Sequence, residues 1–397
     1  MRVVDLVKKR VLIVNNNMHI GGVQRALVNL LKCIHDRYEI TLLLFHPEGE
    51  LMKDIPEGVQ VLPVCSAYRF LGMTKDDVRN QPANRLGRSF FAAVCRLLGR
   101  DAAVSLMAMG QRRLTGYDAA ISYLHDAGDR MFYGGCNDFV LRHVEAKRKY
   151  SFLHCDFLLC GANTSSNLSR YARFDGIAAC SEGCRKAFVK AAPDLEDKTF
   201  VSCNCQDYEA IGSAAEEANV SLPADRLNIL TVARLGREKG VPRAIAAFAA
   251  LKETKVPYHY YIIGDGRERE ETERLIRENG LEDSVTLLGE MANPYGYMKA
   301  ADLLLIPSRS EAAPMVIGEA ACLGTPILTT ETTSARDMVE KTGFGWVCEN
   351  HTEGIMRAVE ALLNDPDKIR KKADALKRCA FDNRNAIEQF AVLLEKA

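Results

Sequence analysis

The residues best suited to chemistry are two glutamates, Glu311 and Glu319, which stand eight positions apart. A carboxylate accepts two hydrogen bonds and can hold neighbouring hydroxyl groups of a sugar. Between them, the backbone N–H groups of Met315 and Val316 could receive a phosphate if a helix begins there. The pattern indicates a sugar-nucleotide site, and the alternative is a pair of solvated surface glutamates.

The neighbouring sequence predicts the elements that position this pair. Residues 302–308 have the apolar pattern of a buried parallel strand. Pro314 suits a first helical turn, where its missing N–H would be unpaired anyway, and Gly324 favours the helix end. We therefore expect Glu311 in the loop after the strand and Glu319 about two turns later.

Basic residues and glycines follow two other predicted strands. Arg234 and Lys239 can converge on one diphosphate through bidentate and point-charge contacts, or they can form a solvated basic loop. Gly264 and Gly266 end the next strand, but the third glycine of the dinucleotide fingerprint is missing. We interpret this segment as a loop bordering a nucleotide.

Two glycines, Gly21 and Gly22, close the loop after the first predicted strand and start a helix. They either let the backbone approach a ligand phosphate or sugar, or they only turn the chain.

Composition narrows the class of protein. A chain of 397 residues is expected to form two domains, and 52 Lys plus Arg balance 52 Asp plus Glu, so no nucleic acid is expected. No apolar run approaches the roughly 20 residues of a membrane span, and the run 11–14 is too short for an export signal. Because neither a membrane span nor an export signal is predicted, we expect a cytoplasmic protein. The 13 cysteines lack zinc-site spacing, so we expect reduced thiols and no metal site.

Strand-like and helix-like segments alternate along the chain, which predicts an α/β protein with doubly wound parallel sheets. Residues 206–228, rich in Ala, Glu, Ser and Pro, are interpreted as a linker. The predicted strands cover residues 10–15, 38–45, 59–64, 119–123, 150–153, 176–180, 228–232, 259–263, 285–288, 303–306, 326–329 and 345–348.

Taken in order, the Gly-Gly loop, Arg234-x4-Lys239-Gly, Gly264-Asp-Gly266 and Glu311-x7-Glu319 resemble glycosyltransferase family four. The segments 117–123, 180–184 and 310–316 resemble the bacterial enzymes that assemble capsular and other surface polysaccharides. The resemblance spans nearly the whole chain and is strongest over 227–349. It implies the GT-B fold, with two Rossmann-like domains facing a cleft.

The resemblance also implies roles for individual residues. Arg234 and Lys239 would hold the nucleotide diphosphate, Glu319 the ribose and Glu311 the donor sugar. Gly22 would lie close to the diphosphate. The family transfers sugar with retention of configuration and without a bound metal, so no cofactor is expected.

The catalytic contribution of the N-terminal half stays open between candidates at strand ends. His125 or Asp126 follows the strand 119–123, and His154 follows the strand 150–153. A histidine at a strand end could line the acceptor side, although a lone histidine is often an ordinary packed residue.

We expect an acceptor-side domain over residues 1–205, a nucleotide-sugar-binding domain over 206–380, and a helix at 381–397 that returns to the first domain. The donor is expected to be UDP-linked, and the acceptor a saccharide or a lipid-linked molecule. Alternatives are a sugar-nucleotide epimerase and a noncatalytic nucleotide-sugar-binding partner of an assembly complex.

The segment 85–113 bears on the acceptor, because it carries six arginines and has apolar residues at helical spacing. A basic amphipathic helix would suit peripheral contact with the inner face of the plasma membrane. The alternative is an ordinary helix packed on the sheet. The apolar residues are Leu86, Phe90, Val94, Leu97 and Leu98.

Overall fold

The structure is a computed structural model that describes residues 8–252 and 256–395. Its contacts divide the chain into two compact units, one of Met1–Cys205 with Asn383–Ala397 and the other of Gln206–Asp382. The expectation that the N-terminus is no export signal falls partly on residues 1–7, which lie outside the described residues.

The first unit is built on a seven-stranded parallel sheet with the order β3-β2-β1-β4-β5-β6-β7. Its central strands are apolar runs because both faces of the sheet are covered, as in β1, where residues 11–14 are fully buried. The strands are β1 (Arg10–Asn15), β2 (Glu39–Leu44), β3 (Gln60–Pro63), β4 (Leu114–Ser122), β5 (Val144–Leu153), β6 (Gly176–Ala179) and β7 (Thr199–Val201). The helices are α1 (Gly22–Ile34), α2 (Arg69–Gly72), α3 (Pro82–Leu98), α4 (Arg100–Met107), α5 (Cys136–His143), α6 (Ser165–Tyr171) and α7 (Glu182–Ala191).

The second unit has a six-stranded parallel sheet with the order β10-β9-β8-β11-β12-β13. Its strands are β8 (Leu227–Val232), β9 (Tyr258–Ile263), β10 (Val285–Gly289), β11 (Leu303–Ile306), β12 (Ile327–Thr330) and β13 (Gly345–Cys348). Its helices are α8 (Tyr208–Ala218), α9 (Val241–Ala250), α10 (Arg269–Glu278), α11 (Tyr295–Ala300), α12 (Met315–Cys322), α13 (Thr352–Leu363) and α14 (Pro366–Leu376). Short single turns of helix occupy Glu50–Asp54, Pro193–Lys198, Arg237–Lys239 and Arg336–Glu340.

The last helix, α15 (Arg384–Glu395), packs into the core of the first unit. Its Phe390 ring lies 6.1 Å from the ring of Tyr38, centroid to centroid. The two parallel sheets confirm the predicted α/β class.

The predicted linker over 206–228 is wrong, because residues 208–218 form α8. The side chain of Asp207 caps this helix by accepting a hydrogen bond from the backbone N–H of Ala210 at 3.2 Å. Ile211 and Ala215 are buried on one face, so this Ala- and Glu-rich segment forms a packed helix.

The basic segment 85–113 also differs from the prediction, because it is not one helix. Gly99, with a φ of +89°, separates α3 from α4. Arg100, counted among the basic residues of an exposed face, is instead 3% exposed and paired with Asp126. Across residues 8–252 and 256–395, no helix is both long and apolar enough to cross a membrane.

Candidate functional site

In each sheet the order of strands reverses once, between β1 and β4 in the first unit and between β8 and β11 in the second. Parallel sheets of this kind open a crevice beyond the carboxyl ends of the strands at such a switch point. Most of the predicted residues follow β1, β4, β8 or β11, so the topology gathers them at the switch points of their own sheets.

The switch point of the second unit joins two residues predicted separately. The Nζ of Lys239 lies 2.5 Å from Oε1 of Glu311, and the Ser308 hydroxyl donates to the same oxygen at 2.7 Å. The Lys239 side chain is 25% exposed and that of Glu311 11%. A half-buried cation and carboxylate therefore lie side by side, and the interpretation of Glu311 as solvated surface does not hold.

Backbone contacts lock together the two loops that carry this pair. The N–H of Arg309 donates to the carbonyl of Glu238 at 2.7 Å. Gly240 has a φ of +66°, and a side chain there would place its Cβ 2.2 Å from the Pro307 carbonyl oxygen. Only glycine fits this approach.

Arg243, in the first turn of α9, is a supporting residue that the sequence reasoning missed. Its guanidinium donates to the carbonyls of Pro307 at 2.9 Å and Ser308 at 2.7 Å, and to Oδ1 of Asn350 at 2.6 Å. Burial lowers the pKa of Arg243 to about 10, so it stays charged. A single arginine in an otherwise apolar helix was the available signal, because a buried charge needs partners.

Arg234 lies at the carboxyl end of β8 with a side chain that is 77% exposed. Its Nη2 is 2.8 Å from Oε1 of Glu238, a residue the sequence reasoning also missed. Burial raises the pKa of Glu238, but the Glu238 backbone N–H and the Arg234 guanidinium outweigh this effect and hold the pKa below its ordinary value. In this state the guanidinium is bound to a carboxylate of its own chain.

The loop after β9 packs directly on the loop after β8. A side chain on Gly264, which has a φ of +141°, would place its Cβ 1.9 Å from the Ala233 carbonyl oxygen. The Leu235 N–H donates to the Asp265 carbonyl at 2.8 Å. Gly264 therefore has a structural requirement of its own, whether or not it also borders a nucleotide.

Helix α12 begins at Met315, after Pro314 in an extended conformation, so Pro314 caps the helix instead of entering its first turn. Met315 and Val316 form that first turn, where backbone N–H groups point out of the helix. Glu319, one turn later, is 8% exposed. The amide of Gln206 donates to the Met315 carbonyl at 2.8 Å and so tethers the start of the helix.

In the first unit, Gly21 is the residue before α1 and Gly22 is its first residue. Gly21 has an extended backbone that any residue adopts, and a Cβ on Gly22 would meet no described atom within 4 Å. Neither position needs glycine for the backbone turn. The open space next to Gly22 is therefore the feature that still favours the ligand interpretation of this glycine.

His125 and His154 follow the adjacent strands β4 and β5. Burial lowers the pKa of His125 to about 4 and the pKa of His154 to about 3, so both rings are neutral near neutral pH. Nδ1 of His125 and Nε2 of His154 are buried, and neither has a hydrogen-bond partner among the described residues. Buried polar atoms without a hydrogen-bond partner are rare unless a water molecule or a ligand supplies the missing hydrogen bond.

Asp126 is bound into a buried ion-pair network. Its carboxylate lies 2.6 Å from a nitrogen of Arg100 and 3.3 Å from one of Arg170, and it accepts a hydrogen bond from Asn137 at 2.9 Å. Burial raises the pKa of Asp126, but the guanidiniums of Arg100 and Arg170 outweigh this effect and hold the pKa below its ordinary value. The carboxylate stabilises the strand end, while the two histidines keep free ring nitrogens.

One group of described side chains could hold a metal ion. His46, Glu48 and Asp77 offer ligand atoms within 4.8 Å of one another. His19 already contacts Asp77 at 3.1 Å. The group belongs to the first unit, whereas Lys239 and Glu311 belong to the second.

Comparison with known sequences identifies the domain that carries the Lys239–Glu311 pair. Residues 213–380 match the family described as glycosyl transferases group 1. The N-acetylgalactosamine-N,N'-diacetylbacillosaminyl-diphospho-undecaprenol 4-alpha-N-acetylgalactosaminyltransferase of Campylobacter jejuni is 27% identical over 357 residues, covering 88% of this chain and 89% of that protein. Residues 213–380 therefore form a group 1 glycosyltransferase domain, and the chain is a glycosyltransferase.

A second relative of this glycosyltransferase matches over a shorter length. The amylovoran biosynthesis glycosyltransferase AmsK of Erwinia amylovora is 30% identical over 185 residues, which is 43% of this chain and 45% of that protein.

Solved structures show the fold of this glycosyltransferase. HepE of Anabaena in complex with UDP matches with a TM-score of 0.66 at 21% identity, covering 98% of this chain and all (100%) of HepE. WaaG, a glycosyltransferase involved in lipopolysaccharide biosynthesis, matches with a TM-score of 0.58 at 16% identity over 98% of this chain and 100% of WaaG. The predicted GT-B fold is confirmed.

Proposed function

We propose that this glycosyltransferase is a retaining, metal-independent enzyme of bacterial surface polysaccharide biosynthesis. It moves a sugar from a UDP-linked donor to a saccharide or lipid-linked acceptor. The Lys239–Glu311 pair at the β8–β11 switch point carries the proposal, because it puts side by side a cation and a carboxylate, the two groups that we assign to the diphosphate and to the donor sugar. Two relatives support a role in surface polysaccharide synthesis. One is named for amylovoran biosynthesis, and the name of the other contains a diphospho-undecaprenol acceptor.

The chemistry follows from where charge develops. As the bond between sugar and nucleotide breaks, negative charge grows on the departing diphosphate. Lys239 and Arg234 would stabilise that charge, and the first turn of α12 would add N–H groups. Because these groups supply the positive charge, the reaction needs no metal. Binding of UDP and of UDP-glucose in structures of HepE supports the choice of nucleotide.

Glu311 would accept hydrogen bonds from the donor sugar, and Glu319 from the ribose. In the first unit, the open space above Gly22 would admit the diphosphate. The neutral rings of His125 and His154, each with one unpaired nitrogen, would bind hydroxyl groups near the acceptor.

The test is transfer from a panel of UDP-sugars in the presence of EDTA, with the anomeric configuration of the product read by NMR. We expect full activity with EDTA and a product with the donor's anomeric configuration. Strict dependence on a divalent metal, or an inverted product, would contradict the proposal. Conversion of the donor without any acceptor would indicate an epimerase instead.

A further inference from the structure

Helix α3 presents an apolar stripe to solvent. Leu86, Phe90 and Leu97 are 71%, 57% and 75% exposed, and their spacing places them on one helical face. Cys95, on the opposite face, is 1% exposed and lies in the core. A surface helix of a globular protein normally turns its apolar face inward. Here the side directed away from the core is also apolar, so the stripe is suited to a partner.

The charges of α3 favour an anionic partner. Residues 82–98 contain three arginines and no Asp or Glu. Arg88 is turned inward, donating to the Met73 carbonyl at 2.9 Å. Arg85 and Arg96 are exposed, stand eleven residues apart on one face beside the stripe, and have no ion-pair partner among residues 8–252 and 256–395. A second copy of α3 would bring these arginines against each other, whereas anionic headgroups would neutralise them.

Contacts link α3 to the loop that carries Gly21 and Gly22. The rings of Phe91 on α3 and Phe70 on α2 lie 5.5 Å apart. The last residue of α2, Gly72, accepts a hydrogen bond through its carbonyl from the Asn17 side chain at 2.6 Å. A surface bound to α3 would thus lie on the part of the first unit that adjoins the carboxyl end of β1.

We propose that the stripe of Leu86, Phe90 and Leu97, with Arg85 and Arg96 beside it, binds the surface of an anionic phospholipid bilayer. The apolar side chains enter the boundary between headgroups and acyl chains, and the arginines contact lipid phosphates. The inference rests on the proposed function in one respect, because a lipid-linked acceptor would be held at the same surface.

The test is co-sedimentation of the full chain with vesicles of phosphatidylcholine alone or mixed with phosphatidylglycerol. We expect binding to the mixed vesicles that weakens as salt is added. The triple variant Leu86→Ser, Phe90→Ser, Leu97→Ser should bind at least about tenfold more weakly, because each buried apolar side chain favours insertion. The double variant Arg85→Gln with Arg96→Gln should bind the anionic vesicles about fivefold more weakly for each arginine removed. Its binding to vesicles of phosphatidylcholine alone should not change.

The matched control is Arg370→Gln with Lys371→Gln on α14, which removes the same charge from another exposed helix and should bind like the wild type. Circular dichroism of the serine variant should match the wild type, because the replaced side chains are exposed. Wild-type protein that stays in the supernatant would overturn the proposal, as would vesicle binding unchanged in the serine variant. A wild-type dimer that the serine variant abolishes would assign the stripe to a second copy instead.

Lys239→Ala separates this proposal from the proposed function, since it should bind vesicles normally and fail in transfer. If Lys239→Ala transfers normally and binds vesicles, the donor assignment fails and the docking surface stands. Lost vesicle binding with intact transfer to a water-soluble acceptor in the serine variant would support docking.

Discussion

Nζ of Lys239 and Oε1 of Glu311 lie 2.5 Å apart although 72 residues separate them in the chain. Strands β8 and β11 are neighbours in the sheet, so the loops that follow them meet. The contact pairs a group proposed for the diphosphate with one proposed for the sugar. Donor binding would therefore replace a contact within the protein by two contacts with the ligand.

Glu311→Gln should separate sugar transfer from nucleotide binding. We expect transfer to fall by roughly 10²-fold or more, the cost of removing one preorganised polar group from an active site. UDP should bind at least as tightly as to the wild type, because Lys239 loses a competing carboxylate. Activity assays and calorimetry check both. Glu340→Gln, which breaks an exposed pair with Arg336, is the control. An equal loss of UDP binding in Glu311→Gln would assign Glu311 to the nucleotide.

Glu238→Gln should release Arg234 for the diphosphate. The exposed pair they form is worth about 0.2–1 kcal/mol, so UDP affinity should rise by up to about fivefold. Arg234→Ala should lower it. The control Glu271→Gln breaks a similar exposed pair with Arg274 and should leave UDP affinity unchanged. Weaker UDP binding in Glu238→Gln would mean that the carboxylate itself helps to hold the ligand.

Gly22→Ala should change stability and activity in opposite directions. Alanine fits the helical conformation at this position and should raise the free energy of unfolding by about 0.4–1 kcal/mol. Transfer should fall, because the added methyl group occupies the space proposed for the donor. Gly212→Ala in α8, also with open space around its Cβ, should give a similar stabilisation with unchanged transfer. Full activity in Gly22→Ala would remove the ligand interpretation of this glycine.

Much of the fold could be predicted because apolar runs in a parallel sheet are continuous. The strands 303–306 and 345–348 coincide with β11 and β13. Two of the differences from the predicted strands have a clear physical reason. The three-residue β7 is too short to show a period, and β4 begins five residues before the predicted start because Leu114–Asp118 includes polar residues and Gly116.

The site was harder to predict than the fold. Glu311 and Lys239 could be found from their places after strands, but their pairing depends on strand order, which no local pattern encodes. Arg243 supports the loop of Glu311 through hydrogen bonds to the carbonyls of Pro307 and Ser308, which only the folded chain brings together. The assignment of Asp126 to a buried network likewise depends on Arg100 and Arg170, both distant in sequence.

The two buried histidines predict an acid-sensitive fold. Burial lowers the pKa of His125 to about 4 and of His154 to about 3, whereas an unfolded histidine titrates near pH 6.5. As pH falls from about 6.5 towards about 4, the unfolded chain takes up more protons, so the folded state loses up to about 1.4 kcal/mol per pH unit for each histidine. Urea unfolding at several pH values should show this slope, and His125→Asn with His154→Asn should flatten it. An unchanged slope in that variant would assign the acid sensitivity to other groups.

The central claim is that Lys239 binds the diphosphate of the donor, and calorimetric titration of the wild type and Lys239→Ala with UDP and with uridine tests it most directly. Lys341→Ala, which removes another lysine paired with a carboxylate, is the control. The account predicts that Lys239→Ala weakens UDP binding at least about tenfold, the scale of a charge-assisted contact of about 1.5–3 kcal/mol, and leaves uridine binding unchanged. Unchanged UDP affinity, or an equal loss for uridine, would contradict it.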